Sequence, residues 1–402
     1  MQPSFLDQMH HNHKCKLRIG IDNISPGEAT ARNGPGGMRF YIETLIRYFA
    51  EFGPECEIIV FTPAWADPIG EPLPRNVRIV RLVGVPRSKA LRVIYQQIIL
   101  ASAIMAQRID VFYATATIAP LWGAKRTVLV VQFLQHYRWP EAYGYLRTLY
   151  LRMLLPLSLM RSRSVIIFTE AAKLDLVRFT GISPAKVEVV PHGTIIEDAA
   201  RWQSLSAKEQ VGQLVQGKPY FVYVSATYGY KNHLFLVRAF GLFKSVTKLP
   251  HKLLLIGAEV TITYKQIQDL AASLGVAGDV VIAGRLESVG AAYAGSVAAT
   301  IPTLYETFGF PVLEAMAYGA PVLTSNEGSM AELAGEAALL ADVADEIAFA
   351  KAMERIVGNE ALCDDLRAQG RTRAASFTWP IAMEKTFCVV QKAARIHENS
   401  VP

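Results

Sequence analysis

Two glutamates, Glu306 and Glu314, lie eight residues apart in LYETFGFPVLEAMAYGAPVLTS and are the side chains best suited to chemistry. Pro311 has the fixed φ favoured at a helix start, so we predict a helix from Pro311 through Met316. Gly309 has no Cβ and would let the backbone approach a ligand closely. Free N–H groups at this helix start would suit a pyrophosphate, and Glu314, predicted in the first turn, would suit paired sugar hydroxyls.

A plainer alternative explains the same two residues without a ligand. Glu314 would then be a glutamate favoured by the helix dipole, and Glu306 a solvated loop residue. Spacing alone favours this alternative, because an E-x7-E pair often arises by chance.

Length and composition indicate a globular chain of two domains and allow a third. The chain has 402 residues, of which 51% are apolar and 19% charged, so disorder is excluded. No apolar run reaches the roughly 18 residues of a spanning helix, and the N-terminus MQPSFLDQMHHNHKCK lacks an apolar signal core, so we expect no export. The cysteines, which form no CxxC pair, favour a reducing compartment: Cys15, Cys56, Cys363 and Cys388.

Positive charge is concentrated in the first half. Residues 1–197 carry 23 Lys/Arg against 15 Asp/Glu, and residues 85–180 carry 13 against 4. Residues 87–108 and 145–163 mix basic and apolar residues, a composition typical of helices lying on an anionic membrane. Ordinary core helices with solvated basic edges explain them about equally well. Nucleic acid is a poor candidate, because no recognised binding motif accompanies the charge.

Short apolar runs alternate with helix-length segments along the whole chain. Seven such runs precede residue 191, and six more follow a polar stretch near 195–218. Strands separated by helices form parallel βαβ units covered on both faces. The pattern therefore predicts an α/β protein with two doubly wound, Rossmann-like domains and a cleft between them.

The glutamate segment resembles the E-x7-E signature of glycosyltransferase family 4, retaining sugar-nucleotide transferases with the GT-B fold. Other segments agree: FVYVSATYGYKNH resembles the first strand and Lys-Asn loop of the family's C-terminal domain, and VEVVPHGT resembles its domain junction. ARNGPGGMRFYIETLIRYF resembles the Gly-Gly loop and first helix of the N-terminal domain. The resemblance covers about residues 16–395 and is closest to bacterial polysaccharide mannosyl- and rhamnosyltransferases.

The resemblance also implies a domain plan. Residues 1–14 would be a flexible tail, 15–195 an acceptor-binding domain, and 196–218 a linker. Residues 219–376 would bind the sugar nucleotide, and residues 377–402 would form a helix that returns to the N-terminal domain.

By the same resemblance, the two glutamates and the glycine turn bind the donor. Glu314 would hold the ribose hydroxyls and Glu306 would contact the transferred sugar. The N–H groups around Phe308, Gly309 and Phe310 would cradle sugar hydroxyls and phosphates.

Further implied contacts concern the diphosphate. Lys231 would neutralise the leaving diphosphate, and Gly36 and Gly37 would let the N-terminal backbone close over it. The alternatives are a surface lysine and a merely flexible turn. His192 lies at the junction, where packing is favoured over chemistry.

Two departures from the family pattern stand out. The usual arginine before the lysine is missing in SATYGY, so either Lys231 acts alone or another basic residue such as Arg285 substitutes. The usual His-Asp pair is replaced by Gln132 and Phe133, so we expect Gln132 to make the histidine's hydrogen bonds. His136 is the weaker candidate.

The resemblance implies that the sugar keeps its anomeric configuration. The acceptor would attack from the face that the phosphate leaves, and the departing phosphate oxygen would take the acceptor's proton. No Asp-x-Asp occurs in the sequence, so we expect no metal and no other cofactor. Helix dipole, loop amides and Lys231 would then stabilise the leaving group.

The predicted function is transfer of a sugar, with mannose from GDP-mannose favoured, to a lipid-linked or polysaccharide acceptor. Such an acceptor, polyprenyl-diphosphate-linked or otherwise anionic, belongs to O-antigen or exopolysaccharide synthesis. The enzyme would be cytoplasmic and peripheral to the inner face of the plasma membrane. Alternatives are a GT-B-fold sugar-nucleotide epimerase, a transferase acting on soluble sugars, and a non-catalytic binding module.

Overall fold

The computed structural model describes residues 17–24, 37–66, 68–70, 72–194, 196, 199–286 and 288–395. Within these ranges, thirteen strands form two parallel sheets, one of seven strands and one of six. Helices follow most strands, so both sheets are built from successive βαβ units.

The first sheet comes from the first half of the chain. Its strands are β1 (Arg18–Asp22), β2 (Glu57–Pro63), β3 (Val77–Leu82), β4 (Val111–Ala114), β5 (Thr127–Val130), β6 (Ser164–Ile167) and β7 (Val187–Val189). The helices are α1 (Gly37–Phe52), α2 (Lys89–Tyr95), α3 (Ala101–Ala106), α4 (Gln135–Arg138), α5 (Tyr145–Arg161) and α6 (Glu170–Thr180). A π-helical segment, Gln96–Leu100, joins α2 to α3. The strand order is β3-β2-β1-β4-β5-β6-β7.

The second sheet follows. Its strands are β8 (Tyr220–Val224), β9 (Lys252–Ile256), β10 (Val280–Gly284), β11 (Ala298–Ile301), β12 (Val322–Ser325) and β13 (Leu339–Ala341). The helices are α7 (Ala199–Trp202), α8 (Leu205–Leu214), α9 (His233–Thr247), α10 (Tyr264–Ser273), α11 (Gly290–Ala294), α12 (Phe310–Ala317), α13 (Gly328–Ala334), α14 (Glu346–Val357), α15 (Glu360–Ala375) and α16 (Trp379–Ala394). The strand order is β10-β9-β8-β11-β12-β13.

The central strands are buried on both faces, which explains their continuous apolar sequences. Every residue of β4, β9 and β11 is buried, whereas the edge strands β3 and β10 are more exposed. This is the pattern of a parallel sheet with helices on both sides. The predicted fold class, two doubly wound Rossmann-like sheets, is confirmed.

Each sheet has one place where the strand order reverses. In the first sheet β1 pairs with β4, and in the second β8 pairs with β11. In doubly wound sheets, ligands bind outside the carboxyl ends of the strands that flank such a reversal. The two reversals are therefore where binding sites are expected.

By internal contacts, the chain divides into two compact units. Unit 1 contains residues 1–131, 157–165 and 383–402, and unit 2 contains residues 132–156 and 166–382. Within unit 1, the Phe387 ring of α16 packs edge-on against Phe49 of α1, with ring centroids 5.3 Å apart. The C-terminal helix therefore returns to the first half of the chain, as predicted.

Among the described helices, none has both the length and the apolar character that a membrane crossing requires.

The start of α12 depends on a glycine. Gly309 has φ +129, a conformation that other residues rarely adopt, and a Cβ there would lie 2.1 Å from the Met330 Cε. The helix begins at Phe310, one residue before the predicted start, with a proline in its first turn. Glu314 consequently lies just past the first turn and not within it as predicted, since the first turn contains no acidic residue.

We predict that Gly309→Ala lowers the free energy of unfolding by about 3 kcal/mol, because backbone strain adds to the clash with Met330. Gly181→Ala is the matched control, since Gly181 also has positive φ but a Cβ placed there would meet nothing within 4 Å. The Gly181→Ala substitution should lower the free energy of unfolding by only about 1 kcal/mol. Urea denaturation measures both, and equal losses would show that Met330 moves aside without cost.

Candidate functional site

An ion pair lies at the strand-order reversal of the second sheet. Lys231 ends a short 3-10 turn after β8, and Glu306 lies on the loop after β11, the neighbouring strand. The Lys231 ammonium binds the Glu306 carboxylate, and their side chains are only 13% and 16% exposed. The reversal thus places two oppositely charged groups, far apart in sequence, at one edge of the sheet.

A buried tyrosine ties together the two segments that carry this pair. The Tyr223 hydroxyl of β8 donates to the Lys231 carbonyl at 2.9 Å and lies 2.9 Å from the Thr303 hydroxyl, just after β11. The Leu304 N–H also donates to the Tyr230 carbonyl at 2.9 Å. These bonds fix the backbones on both sides of the ion pair.

Electrostatics keep Lys231 charged. Burial by itself would lower the pKa of its ammonium, but the nearby Glu306 and Tyr223, and also Glu314, raise it above the ordinary value. The Lys231 ammonium thus binds one predicted site residue, Glu306, and responds to the charge of another, Glu314. A cation held in this way can neutralise charge on a phosphate group.

Glu306 has a second partner that the sequence did not identify. The Gln135 side-chain amide donates to the Glu306 carboxylate at 3.1 Å, and its oxygen accepts from the Leu134 N–H at 3.0 Å. Since the Leu134 N–H can only donate and the carboxylate can only accept, the amide has one possible orientation. Gln135 is 4% exposed, so this arrangement is rigid.

Gln132, the predicted substitute for the family histidine, contacts the same loop through its backbone. Its carbonyl accepts from the Thr307 hydroxyl at 2.7 Å. The glutamine side chain that binds the Glu306 carboxylate is that of Gln135, three residues later. The signal that could have identified Gln135 is its place in the same QFLQ segment.

Aromatic side chains pack around Phe308, which precedes the turn at Gly309 and the start of α12. Phe308 is 3% exposed, and its ring contacts Phe168, His192 and Phe310. Any contact of Phe308 with a ligand would therefore be made by its backbone. Gly309 and Phe310 follow at the start of α12, where N–H groups lack intrahelical acceptors.

Two residues of α13 bind the start of α6. The Glu332 carboxylate accepts from the Glu170 and Ala171 N–H groups at 2.9 and 2.8 Å. The Ser329 hydroxyl lies 2.7 Å from that of Thr169, which also donates to the Thr307 carbonyl at 3.1 Å. The loop that carries Glu306 is thus connected to a helix start that is capped by a carboxylate.

Three further predicted residues are Arg285, Gly37 and Gly36. Arg285 is exposed after the edge strand β10, two strands away from β8, and forms no ion pair with another described residue. Gly37 begins α1 in unit 1, and Gly36 lies outside the described residues. The role of Arg285 beside Lys231 therefore stays a prediction.

No group of three or more His, Cys, Asp or Glu side chains is arranged to hold a metal ion within the described ranges. The two histidines considered from sequence are both buried. His136 is enclosed by Phe133, Tyr137 and Tyr143, and burial lowers its pKa to about 4, with Arg152 and Arg147 adding to the effect.

His192 is a packing residue. Its ring lies 3.9 Å from that of Phe168 and 5.2 Å from that of Phe310, and burial lowers its pKa from 6.5 to about 3. The folded protein thus holds this histidine neutral, while the unfolded chain protonates it below pH 6.5. Its contribution to stability is present above pH 6.5 and is lost progressively as the pH falls toward 3.

We predict that the free energy of unfolding of His192→Phe falls less steeply at acid pH than that of the wild type. Between neutral pH and about pH 5, the wild type should lose about 2 kcal/mol through this residue, and the variant should not. Urea denaturation of both proteins across this pH range measures the difference. Parallel profiles for the two proteins would contradict the assignment.

Two family models match the chain. A family model described as "Glycosyl transferases group 1" matches residues 206–373, and one described as "Glycosyltransferase Family 4" matches residues 35–198. Together the two models cover most of the chain.

Curated relatives match over shorter segments. An O-antigen chain mannosyltransferase B of Escherichia coli is 36% identical over 87 residues, which are 22% of this chain and 23% of that protein. An MMP alpha-(1->4)-mannosyltransferase of Mycolicibacterium hassiacum is 33% identical over 132 residues, 31% of this chain and 32% of that protein. The matched segments thus span no more than about a third of these relatives.

Solved structures match over nearly the whole chain at low identity. A sucrose-phosphate synthase from Thermosynechococcus elongatus has a TM-score of 0.71 at 20% identity, covering 94% of this chain and 99% of that one. WaaG, a glycosyltransferase involved in lipopolysaccharide biosynthesis, has a TM-score of 0.68 at 14% identity, covering 92% and 99%. These likenesses establish the shared fold.

Proposed function

The chain belongs to glycosyltransferase family 4, and on that basis we propose that it transfers a sugar from a nucleoside-diphosphate sugar to a lipid-linked or polysaccharide acceptor. The observation that carries the proposal is the convergence of Lys231, Glu306 and Glu314 at the strand-order reversal of the second sheet. A cation beside two carboxylates matches a donor that has both a diphosphate and sugar hydroxyls.

Each group has a distinct role in this proposal. Lys231 neutralises charge on the leaving diphosphate, and the N–H groups at Gly309 and Phe310 bind phosphate and sugar oxygens. Glu306, held by Gln135, accepts hydrogen bonds from the transferred sugar. Glu314 accepts hydrogen bonds from the ribose hydroxyls.

The reaction that fits these roles proceeds with retention and without a metal. The bond between the anomeric carbon and the phosphate oxygen breaks, and the charge that develops on that oxygen is stabilised by Lys231 and the helix start. The acceptor hydroxyl attacks from the same face, and its proton passes to the departing phosphate oxygen. The carboxylates position the sugar, and neither acts as a nucleophile.

A mannose-type donor is favoured by the relatives. Curated matches include mannosyltransferases of Escherichia coli and Mycolicibacterium hassiacum. A structural neighbour, HepE of Anabaena, was solved in complex with UDP-glucose and has a TM-score of 0.68 at 14% identity, covering 94% of this chain and 99% of that one. We therefore propose GDP-mannose as the first donor to test and UDP-sugars as the second.

We predict nucleotide release from GDP-mannose that depends on Lys231 and Glu314. Lys231→Ala should lower kcat about 10²–10³-fold, because a preorganised positive charge is lost at the leaving group. Glu314→Ala should mainly raise the donor KM, since the ribose contact is the same in ground and transition states. Assays with GDP- and UDP-sugars, with and without a lipid acceptor, measure these effects.

Lys244→Ala is the matched control for this experiment. Lys244 lies on α9, the helix that follows Lys231, and its side chain is 14% exposed and pairs with Asp279. It therefore resembles Lys231 in burial and pairing, and its loss should leave activity within about twofold of the wild type. Full transfer activity in both Lys231→Ala and Glu314→Ala would refute the site.

The proposed acceptor and membrane association are supported by exposed apolar side chains. Along α5 they include Tyr145, Leu146, Met153 and Met160, which are 80%, 77%, 60% and 67% exposed. Exposed leucine, isoleucine and methionine residues also follow one another through residues 91–105. Arg147, Arg152 and Arg161 interrupt α5, as in helices that bind anionic lipid surfaces, whereas the one arginine within residues 91–105, Arg92, is buried. We propose that these helices hold the enzyme at the inner face of the plasma membrane, beside an anionic lipid-linked acceptor.

We predict that the protein floats with vesicles containing phosphatidylglycerol and is released by salt, because each Lys or Arg contributes about 1 kcal/mol near an anionic surface. Replacing both Met153 and Met160 by Glu should weaken binding at least about tenfold. Ile347→Glu, at a residue 59% exposed on α14, should change nothing. Vesicle binding that depends on neither the salt concentration nor the lipid charge would argue against a membrane role for these helices.

A further inference from the structure

Four aromatic rings form a continuous set in unit 2, here termed the aromatic wall: Trp139, Tyr228, Tyr230 and Tyr305. Tyr228 and Tyr230 are stacked, with centroids 5.3 Å apart and planes at 14°. The Trp139 ring lies 6.0 Å from that of Tyr230 and 5.7 Å from that of Tyr305. Trp139 and Tyr228 are half-buried and keep part of their surface accessible, whereas Tyr230 and Tyr305, 6% and 7% exposed, support them from the core.

The aromatic wall is built on the same backbone that carries the ion pair. Tyr230 directly precedes Lys231, Tyr305 directly precedes Glu306, and the Leu304 N–H bond to the Tyr230 carbonyl joins the two segments. The Trp139 backbone N–H donates to the Gln135 carbonyl at 2.7 Å. Gln135 also binds Glu306 through its side chain. Trp139 is therefore linked to the Glu306 carboxylate through Gln135.

The charge of Glu306 also acts on two tyrosines of the aromatic wall, Tyr230 and Tyr305. Burial is the main reason why the pKa values of the Tyr230 and Tyr305 phenols are raised, and the Glu306 charge raises both further. The pKa of Tyr143, whose ring is stacked on Phe133 at 5.7 Å, responds to the same charge.

The chemistry of this surface differs from that of the donor contacts. The diphosphate and the transferred sugar need charges and hydrogen bonds, which Lys231, Glu306 and the glycine turn provide. An indole or phenol face offers neither, but it suits the C–H face of a pyranose ring, which is apolar. A second sugar lying on such a face would have its hydroxyls beside Glu306, where transfer must occur.

We propose that the aromatic wall is the subsite for the terminal sugar of the acceptor, so that the acceptor presents a pyranose and not a bare lipid phosphate. This inference rests on the proposed function and specifies its acceptor. Trp139 contributes the largest ring and is the residue that the inference depends on most.

The test compares Trp139→Ala and Trp139→Phe with the wild type, using octyl α-D-mannopyranoside as the acceptor probe. Trp139→Ala should raise the acceptor KM about tenfold, while the donor KM and the donor hydrolysis rate without acceptor stay within about twofold. Trp139→Phe should restore most of the acceptor affinity, because it keeps an aromatic face. Tyr48→Ala, which removes a half-buried ring from α1 in unit 1, is the matched control and should have no effect.

Two results would overturn the proposal. An unchanged acceptor KM in Trp139→Ala would show that the aromatic wall does not bind the acceptor. Equal losses of donor hydrolysis and transfer in both Trp139 variants would show that the aromatic wall serves the donor or the fold.

A separate measurement keeps this proposal distinct from the proposed function. If the wild type turns over no nucleotide sugar, the proposed function fails, and saturation-transfer NMR with the same mannoside then decides the subsite. Saturation transfer to the sugar C–H protons that disappears in Trp139→Ala would support the aromatic wall as a sugar subsite. No saturation transfer in the wild type would refute it.

Discussion

The ion pair between Lys231 and Glu306 is the interaction on which the candidate site depends. It forms because β8 and β11 are neighbours although 75 residues separate the two charges, and neighbouring parallel strands end at one edge. A buried charge needs a partner, since an unpaired one would cost several kcal/mol. The Tyr223 bonds and the Gln135 amide hold both backbones and the carboxylate in place, so the pair is preorganised before any substrate arrives.

Around this pair the molecule separates two kinds of chemistry. Charged and polar groups, together with the start of α12, suit a diphosphate and a sugar that must be held by hydrogen bonds. The aromatic wall next to them suits an apolar sugar face. The three tyrosines of the wall lie on the two strand ends that carry the ion pair, and Trp139 lies on a third segment, so a change in either strand end would alter both surfaces. The loop carrying Glu306 is held at several points. Thr307 is hydrogen-bonded to Thr169 and to Gln132, and the side chain of Phe308 is buried.

The fold could be predicted almost completely from the sequence, and the site only in part. Parallel strands buried on both faces leave apolar runs that need no tertiary information to recognise. Glu306, Glu314 and Lys231 were identified through a resemblance, and the structure brings them together. Gln135 was missed because nothing in its local sequence distinguishes it from Gln132. Which of two glutamines reaches Glu306 depends on the short turn at 134–135, and a shift of a few residues cannot be resolved from spacing.

By itself, the sequence determined the two alternating strand series, the helix start after Gly309 and the uneven distribution of charge, because these follow from local propensity and composition. Only the tertiary structure decided which strands are adjacent and therefore which charges meet. It buried His136 and His192 among aromatic rings and assembled the aromatic wall from three separate segments. The physical reason is that side-chain partners are selected by strand order and packing, and these depend on contacts between residues that are distant in the chain.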